Sequence, residues 1–312
     1  MRSHAVRASL AATMLAAAGC SRTALTVDDA VVSADTRELH CRASVEREPF
    51  MFFRSSLPGV PVEFRLDGRP VAAARTESDG FARAVVPYAA PRRPRIEARA
   101  SVLGRSLTAR GNIHTWRRDR TIVAVDIDNT LAKTKLEDLL FERDGEDDES
   151  TPLRGSRKVM ETIAADCEII YVTARPRFLL DTTRVWLADE DFPFAPVMTS
   201  DGIRQAMRRR EYKLDRIAAL QQEWPHLLIG IGNSPSDHEA YARSGLLTVL
   251  VNQKKVHRRV PRTIYLRTWR DLAEFWRANR ALLTDPSRLR AALADDTIDG
   301  LLDHSARQED DD

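Results

Sequence analysis

Cysteine is scarce in this chain of 312 residues: Cys20, Cys41 and Cys167 are all there is. So few thiols exclude a disulfide-stapled scaffold. Cys167 opens an apolar run far from Cys41, which argues against a bridge between those two. Long apolar runs are missing too, and no stretch reaches the roughly 20 residues that a membrane-spanning helix needs. Neither sign of charge dominates: 48 basic residues stand against 46 acidic ones, a net +2, so nucleic acid is not an expected partner. No internal repeat is visible, and His40 and His114 have no second ligand at metal spacing. What remains is a composition of 43% hydrophobic and 30% charged residues, enough to build two globular domains.

The first twenty residues, MRSHAVRASLAATMLAAAGC, place Arg2 and Arg7 before a short alanine-rich apolar run, the layout of a secretory signal. With Cys20 directly after Ala17-Ala18-Gly19, the segment resembles a bacterial lipoprotein signal, although position 17 in that pattern is more often leucine. The resemblance implies acylation of Cys20 and a lipid-anchored protein on the extracytoplasmic side of a bacterial envelope, held firmly because each buried methylene contributes about 0.8 kcal/mol. An ordinary signal peptide and an uncleaved N-terminus are the alternatives.

Between residues 21 and 116 apolar residues alternate, as in VPVEFRLDGRPVAAARTESDGFARAVVPY. Asp67-Gly68 and Asp79-Gly80 read as hairpin turns, and about seven strands suit a small antiparallel, immunoglobulin-like β-sandwich. After Trp116 the period changes. TIVAVDID, CEIIYVTA, FAPVMTS and HLLIGIGN are short, continuously apolar runs suited to a parallel sheet covered on both faces. Helical patterns at 156–165, 177–189, 203–222, 236–244 and 268–283 lie between or after them. The fold class is therefore α/β, an open Rossmann-like parallel sheet over 117–284, with ligands expected at the carboxyl ends of its strands. Residues 285–312, ending RQEDDD, read as a short helix and an acidic tail.

Chemistry concentrates at four stations. In DIDNT, alternation turns Asp126 and Asp128 to the same side while Ile127 enters the sheet, so one carboxylate is able to attack or hold a metal while the other moves a proton. In YVTARP, Thr173 stands where a helix N-cap would supply donors to a phosphate. Lys213 lies on an amphipathic stretch with Tyr212, Leu214, Ile217 and Leu220, and reads by itself as solvated. In GNSPSDHEAY a turn precedes a helix that Ser236 or Asp237 would cap, with His238 turned away.

Taken in order, these stations resemble the haloacid dehalogenase superfamily of phosphotransferases, over about residues 120–284. The match is finer with the lipin-type phosphatidate phosphatase domain, which shares a Thr/Ser-Ala-Arg element, a Glu-aromatic-Lys helix and a Gly-Asn-x-x-x-Asp loop. Asn129, where lipins have glycine, and Lys254-Lys255 in place of Lys-Gly depart from that pattern. The resemblance implies Asp126 as nucleophile forming an aspartyl-phosphate and Asp128 as general acid and base. It implies Thr173, Ala174 and Lys213 around the phosphoryl group, Mg2+ held by Asp126, the backbone carbonyl of Asp128 and Asp237, and Asn233 as a loop contact. The intervals between Asp128 and Thr173 and between Pro176 and Lys213 each hold about one helix and one strand, leaving no room for a large cap.

The expected function is Mg-dependent hydrolysis of phosphatidate or another membrane-associated phosphomonoester. Basic clusters at Arg208–Arg210 and Lys254–Arg262 would attract anionic lipid at about 1 kcal/mol per residue. Two alternatives stand beside it: a soluble nucleotide or sugar phosphatase, and a phosphatidate-binding module without turnover, as proposed for related domains in some phosphatidylinositol-transfer proteins.

Overall fold

The computed structural model describes residues 22–50, 53–89, 95–134, 150–253 and 260–303. The leader with Cys20, residues 92–94 of one basic cluster, 254–259 of another, the acidic run 145–149 and the end of the tail from 304 lie outside them. The chain divides into two compact units, Met1–Ile113 and His114–Asp312.

Nine strands begin the chain: Arg22–Val27 (β1), Ala30–Val32 (β2), Glu38–Phe50 (β3), Phe53–Ser56 (β4), Pro61–Leu66 (β5), Arg69–Arg75 (β6), Phe81–Pro87 (β7), Arg95–Val102 (β8) and Arg105–Thr115 (β9). β3 pairs with β1, β4 and β7 in one antiparallel sheet, and the order β2-β9-β8-β5-β6 makes the other. Leu39, Val45 and Val86 of the first sheet share one core with Val62, Phe64, Ile96 and Ala98 of the second, because alternation sends every second side chain inward. Asp67 and Gly68 both take positive φ, 48° and 78°, and close the β5–β6 hairpin as a two-residue turn. The second Asp-Gly pair does something else. Asp79-Gly80 is a tight turn leading into β7, which lies in the opposite sheet from β6, so it connects sheets rather than partners. The β8–β9 hairpin turns on Leu103-Gly104, with φ 50° and 76°, at a leucine that turn statistics do not favour.

The second unit contains Ile122–Val125 (β10), Ala132–Lys133 (β11), Thr151–Pro152 (β12), Glu168–Pro176 (β13), Val197–Ser200 (β14), Leu227–Gly232 (β15), Leu247–Leu250 (β16) and Thr263–Tyr265 (β17). Its helices are Ser156–Asp166 (α1), Leu180–Asp189 (α2), Ile203–Met207 (α3), Arg209–Glu223 (α4), Pro235–Arg243 (α5), Trp269–Leu283 (α6), Pro286–Ala294 (α7) and Ile298–Leu301 (α8). Six strands form one parallel sheet, β14-β13-β10-β15-β16-β17. The chain enters at the middle with β10, moves outward to β14, then returns to lay β15 on the other side of β10. That reversal opens a crevice at the carboxyl ends of β10 and β15, the usual ligand position in such sheets.

Three expectations change here. The pattern over 203–222 is two helices, broken at Arg208, where ψ of 53° cannot continue an α-helix. The helix after β13 starts late: the strand runs through Pro176, and a 3-10 turn at Arg177–Leu179 precedes α2. Residues 285–302 are not tail. Leu289, Ala292 and Leu293 of α7, Ile298 of α8 and Leu302 join the same core as Trp269, Leu272 and Phe275 of α6. Their stripe was diluted by Arg288, Arg290 and the acids around it, which hid its period.

Candidate active site

At the crevice, β10 stops and the chain bends. The Asp126 N–H donates to the Ile231 carbonyl of β15, Ile127 is fully buried in the core, and Asn129 sits at φ 59°. A left-handed position is what glycine supplies freely and asparagine tolerates, so the departure at Asn129 fits the same turn. The turn is held from two further places: Trp269 Nε1 donates to the Thr130 carbonyl at 3.0 Å, and Asn252 Nδ2 to the Asn129 carbonyl at 3.0 Å.

The two carboxylates meet different surroundings. Asp126 is buried; Thr130 Oγ1 donates to its Oδ2 at 2.8 Å and Lys213 Nζ to its Oδ1 at 2.6 Å. Lys213 also donates to Asp237 Oδ1. The lysine that reads as solvated is thus buried, carried on the inward face of α4 beside Tyr212 and Ile217. Asp237 is reached by close approach. A Cβ on Gly232 would come within 2.5 Å of the Asp237 Cβ, and one on Gly230 within 2.3 Å of the Tyr241 ring, so these glycines let α5 settle onto β15. Asp237 is not the N-cap. Ser234 caps α5, and Asp237 completes a capping box in which its Oδ2 accepts from the N–H groups of Asn233 and Ser234 and from Ser234 Oγ.

Asp128 faces another wall. Thr173 Oγ1 donates to its Oδ2 at 2.9 Å, and Arg175 Nε to its Oδ1 at 2.9 Å. Thr173 therefore does not cap a helix; it orients Asp128 while accepting from the Arg175 N–H at 3.1 Å. Arg175 is 1% exposed and also reaches Thr183 Oγ1 at 3.2 Å. Arg175 and Thr130 are two further site residues, and both lie within the motifs, TARP and DIDNT; their nearness in the sequence to Thr173 and Asp128 is the signal that marks them.

Burial drives Asp126 upward to about 7, helped by the charges of Asp237 and Asp128 and opposed by Lys213. For Lys213 burial pulls downward, yet Asp126 and Asp237 outweigh it and hold the ammonium well above its ordinary range. Burial likewise works against the ionised form of Asp237, and Lys213 with the loop donors overcomes it, leaving that carboxyl below the usual range. The floor of the site is consequently two acids around one cation, with negative charge in excess.

A cavity of about 380 Å³ opens above this floor. Asp126, Asp128, Arg175, Lys213 and Asn233 give it polar lining; Ala174, Pro176, Ala206 and Met207 give it an apolar side. Asp237 lies beneath Lys213, whereas Asn233 lines the cavity. Among the described residues no group of three or more His, Cys, Asp and Glu side chains is arranged to hold a metal ion. The chemistry of the donors still suits a hard divalent cation: oxygen ligands with an uncompensated carboxylate among them. Asp126, the Asp128 carbonyl and Asp237 are the positions the resemblance assigns to it.

Among curated proteins no match is found. Among solved structures, a Had-superfamily hydrolase from Ehrlichia chaffeensis is 13% identical, covering 51% of this chain and 97% of its own, with a TM-score of 0.35. An uncharacterized protein from Listeria monocytogenes serotype 4b is 14% identical over 52% and 98%, TM-score 0.34. The titin M3 domain is 11% identical over 31% and 97%, TM-score 0.21. Likenesses this distant add nothing to the functional argument. Residues 123–251 match the family model described as PITM 1-3, LNS2 domain. That segment holds Asp126, Asp128, Thr173, Lys213, Asn233 and Asp237, and it is LNS2-like, as the haloacid dehalogenase and lipin-type resemblance of its motifs implies.

Proposed function

We propose that the second unit is a phosphatase that hydrolyses a phosphomonoester through an aspartyl-phosphate on Asp126. The observation that carries this reading is the separation of duties between the two carboxylates. Asp126 lies against Lys213, whose ammonium would receive the phosphoryl oxygens as charge develops, while Asp128 is steered by Thr173 and Arg175 away from the floor. Asp126 attacks phosphorus, the ester oxygen leaves with a proton from Asp128, and Asp128 then takes a proton from the water that cleaves the acyl phosphate. A bound Mg2+ would neutralise charge shared between Asp126 and the phosphoryl oxygens.

The apolar side formed by Ala174, Pro176, Ala206 and the exposed Met207, next to Arg208 and Arg209, supports a substrate whose phosphate is attached to an apolar body, as in phosphatidate. A lipid anchor at Cys20, on the periplasmic or extracytoplasmic face of a bacterial envelope, would keep such a site at its substrate. The test is a panel of lipid, nucleotide and sugar monophosphates assayed with magnesium. Turnover of phosphatidate that vanishes in both Asp126→Asn and Asp128→Asn supports the proposal. Parental turnover in Asp126→Asn overturns the nucleophile; preference for soluble esters moves the substrate to nucleotides or sugars. Tight phosphatidate binding that survives Asp128→Ala, with no turnover in the parent, would make the unit a lipid-binding module. If Cys20→Ala leaves the protein on membranes, the anchor is wrong.

A further inference from the structure

A second cavity, about 950 Å³, lies along α1 and α6 and shares no lining residue with the active site. Its cations are Arg154, Lys158, Arg267, Arg270, Arg277 and Arg280, against Asp166 as the one carboxylate in its lining. Asp166 is taken by Arg280, which holds it through two bonds of 2.7 Å, and Arg270 is paired with Glu274 at 3.0 Å. Arg154, Lys158 and Arg277 have no carboxylate partner among the described residues. With 46 acidic residues against 48 basic ones the chain as a whole is close to balanced, so a groove that gathers this many cations with so little counter-charge costs local self-repulsion unless an anion relieves it.

Two further features lie at this groove. Trp276 lines the groove at 1% exposure, and its Nε1 has no hydrogen-bond partner among the described residues, an expensive state for a buried donor. The first turn of α1 carries Arg157 and Lys158 and no acid, the reverse of what a helix N-terminus favours. The cost at the helix N-terminus falls when negative charge enters the groove beside Lys158.

We propose that this groove binds a polyanion carrying neighbouring phosphoryl groups, either free or on a lipid headgroup. The number of its cations exceeds what one phosphate can engage. Arg154, Lys158 and Arg277 supply charge-assisted bonds to the ligand. The proposal stands whether or not the active site is a phosphatase.

The experiment uses the full chain carrying Cys20→Ala, so that no acyl anchor contributes, with two probes: inorganic pyrophosphate followed by calorimetry, and phosphatidylcholine vesicles with or without cardiolipin, whose headgroup carries two phosphates, followed by co-sedimentation. The expected result is binding that weakens about tenfold or more in Arg154→Gln/Lys158→Gln/Arg277→Gln, the loss of one or two charge-assisted bonds. Arg154→Lys/Arg277→Lys, which keeps charge, should retain most of it, separating electrostatics from misfolding. Tryptophan emission should respond to pyrophosphate in the parent and respond less in Trp276→Phe. A loss confined to pyrophosphate identifies a soluble ligand, and one confined to the anionic vesicles identifies a headgroup. Equal binding of both probes by parent and triple-glutamine variant, or no binding by the parent, overturns the proposal.

Discussion

In the first unit, Arg83 meets Asp79 and Arg99 meets Glu97 on strand surfaces where the arginines are 41% and 50% exposed. In the second, Lys213, Asp126 and Asp237 meet with side chains 3%, 6% and 0% exposed, and Arg175 reaches Asp128 from 1%. Water screens the first set, so its members are close to interchangeable with other polar residues. The second set bears several kcal/mol of desolvation per ion, which attraction and hydrogen bonds only partly offset. Stability alone would not select such an arrangement; apolar residues would pack there more cheaply. Buried charge in excess therefore marks the candidate site.

The contrast is sharpest at Lys213. Lys213→Met should destabilise the protein by about 3–5 kcal/mol in urea unfolding at neutral pH, because it leaves two buried acids without their cation. Asp126→Asn should go the other way. Burial raises the folded pKa of Asp126 to about 7 from an ordinary 3.8, so its penalty is absent below the ordinary value, grows as pH rises and levels above about 7. Metal-free Asp126→Asn should thus be more stable than the parent by on the order of 1–3 kcal/mol at pH 8, with the gap closing toward pH 4 in thermal melts. Magnesium should raise the parent's Tm more than the variant's. Gly232→Ala should cost about 1–3 kcal/mol, the range of an overpacked core, since its Cβ would press on Asp237. Arg83→Gln in the first unit should change stability by less than about 1 kcal/mol, and less still in high salt. A surface effect as large as that of Lys213 would break the comparison.

Much of this division is visible in the chain itself. Alternation up to Trp116 and continuous apolar runs after it report the side on which each strand is covered, a local property. Asp126, Asp128 and Thr173 come together because strand ends converge in a parallel sheet, and Lys213 joins them from α4. What local pattern cannot carry is partnership across the fold. Thr173 reads as a cap because a helix follows, yet its hydroxyl is claimed by Asp128, 45 positions earlier. Lys213 reads as solvated because charge on an amphipathic helix usually is, and its inward position shows only once α4 is packed. Trp269 is a core residue of its helix, and its indole nitrogen also holds the turn after Asp126 by donating to the Thr130 carbonyl, 139 positions earlier.

The order of strands also sets the order of assembly. β10 is the first strand of its sheet to be made, and the Asp126 amide is satisfied by Ile231 of β15, which follows about a hundred residues later. Contacts of such long range close slowly. On the ribosome, the acid that would attack substrate has neither its lysine nor its sheet partner until most of the unit has emerged. Each chain would therefore acquire its reactive carboxylate late, after the sheet that confines it is in place.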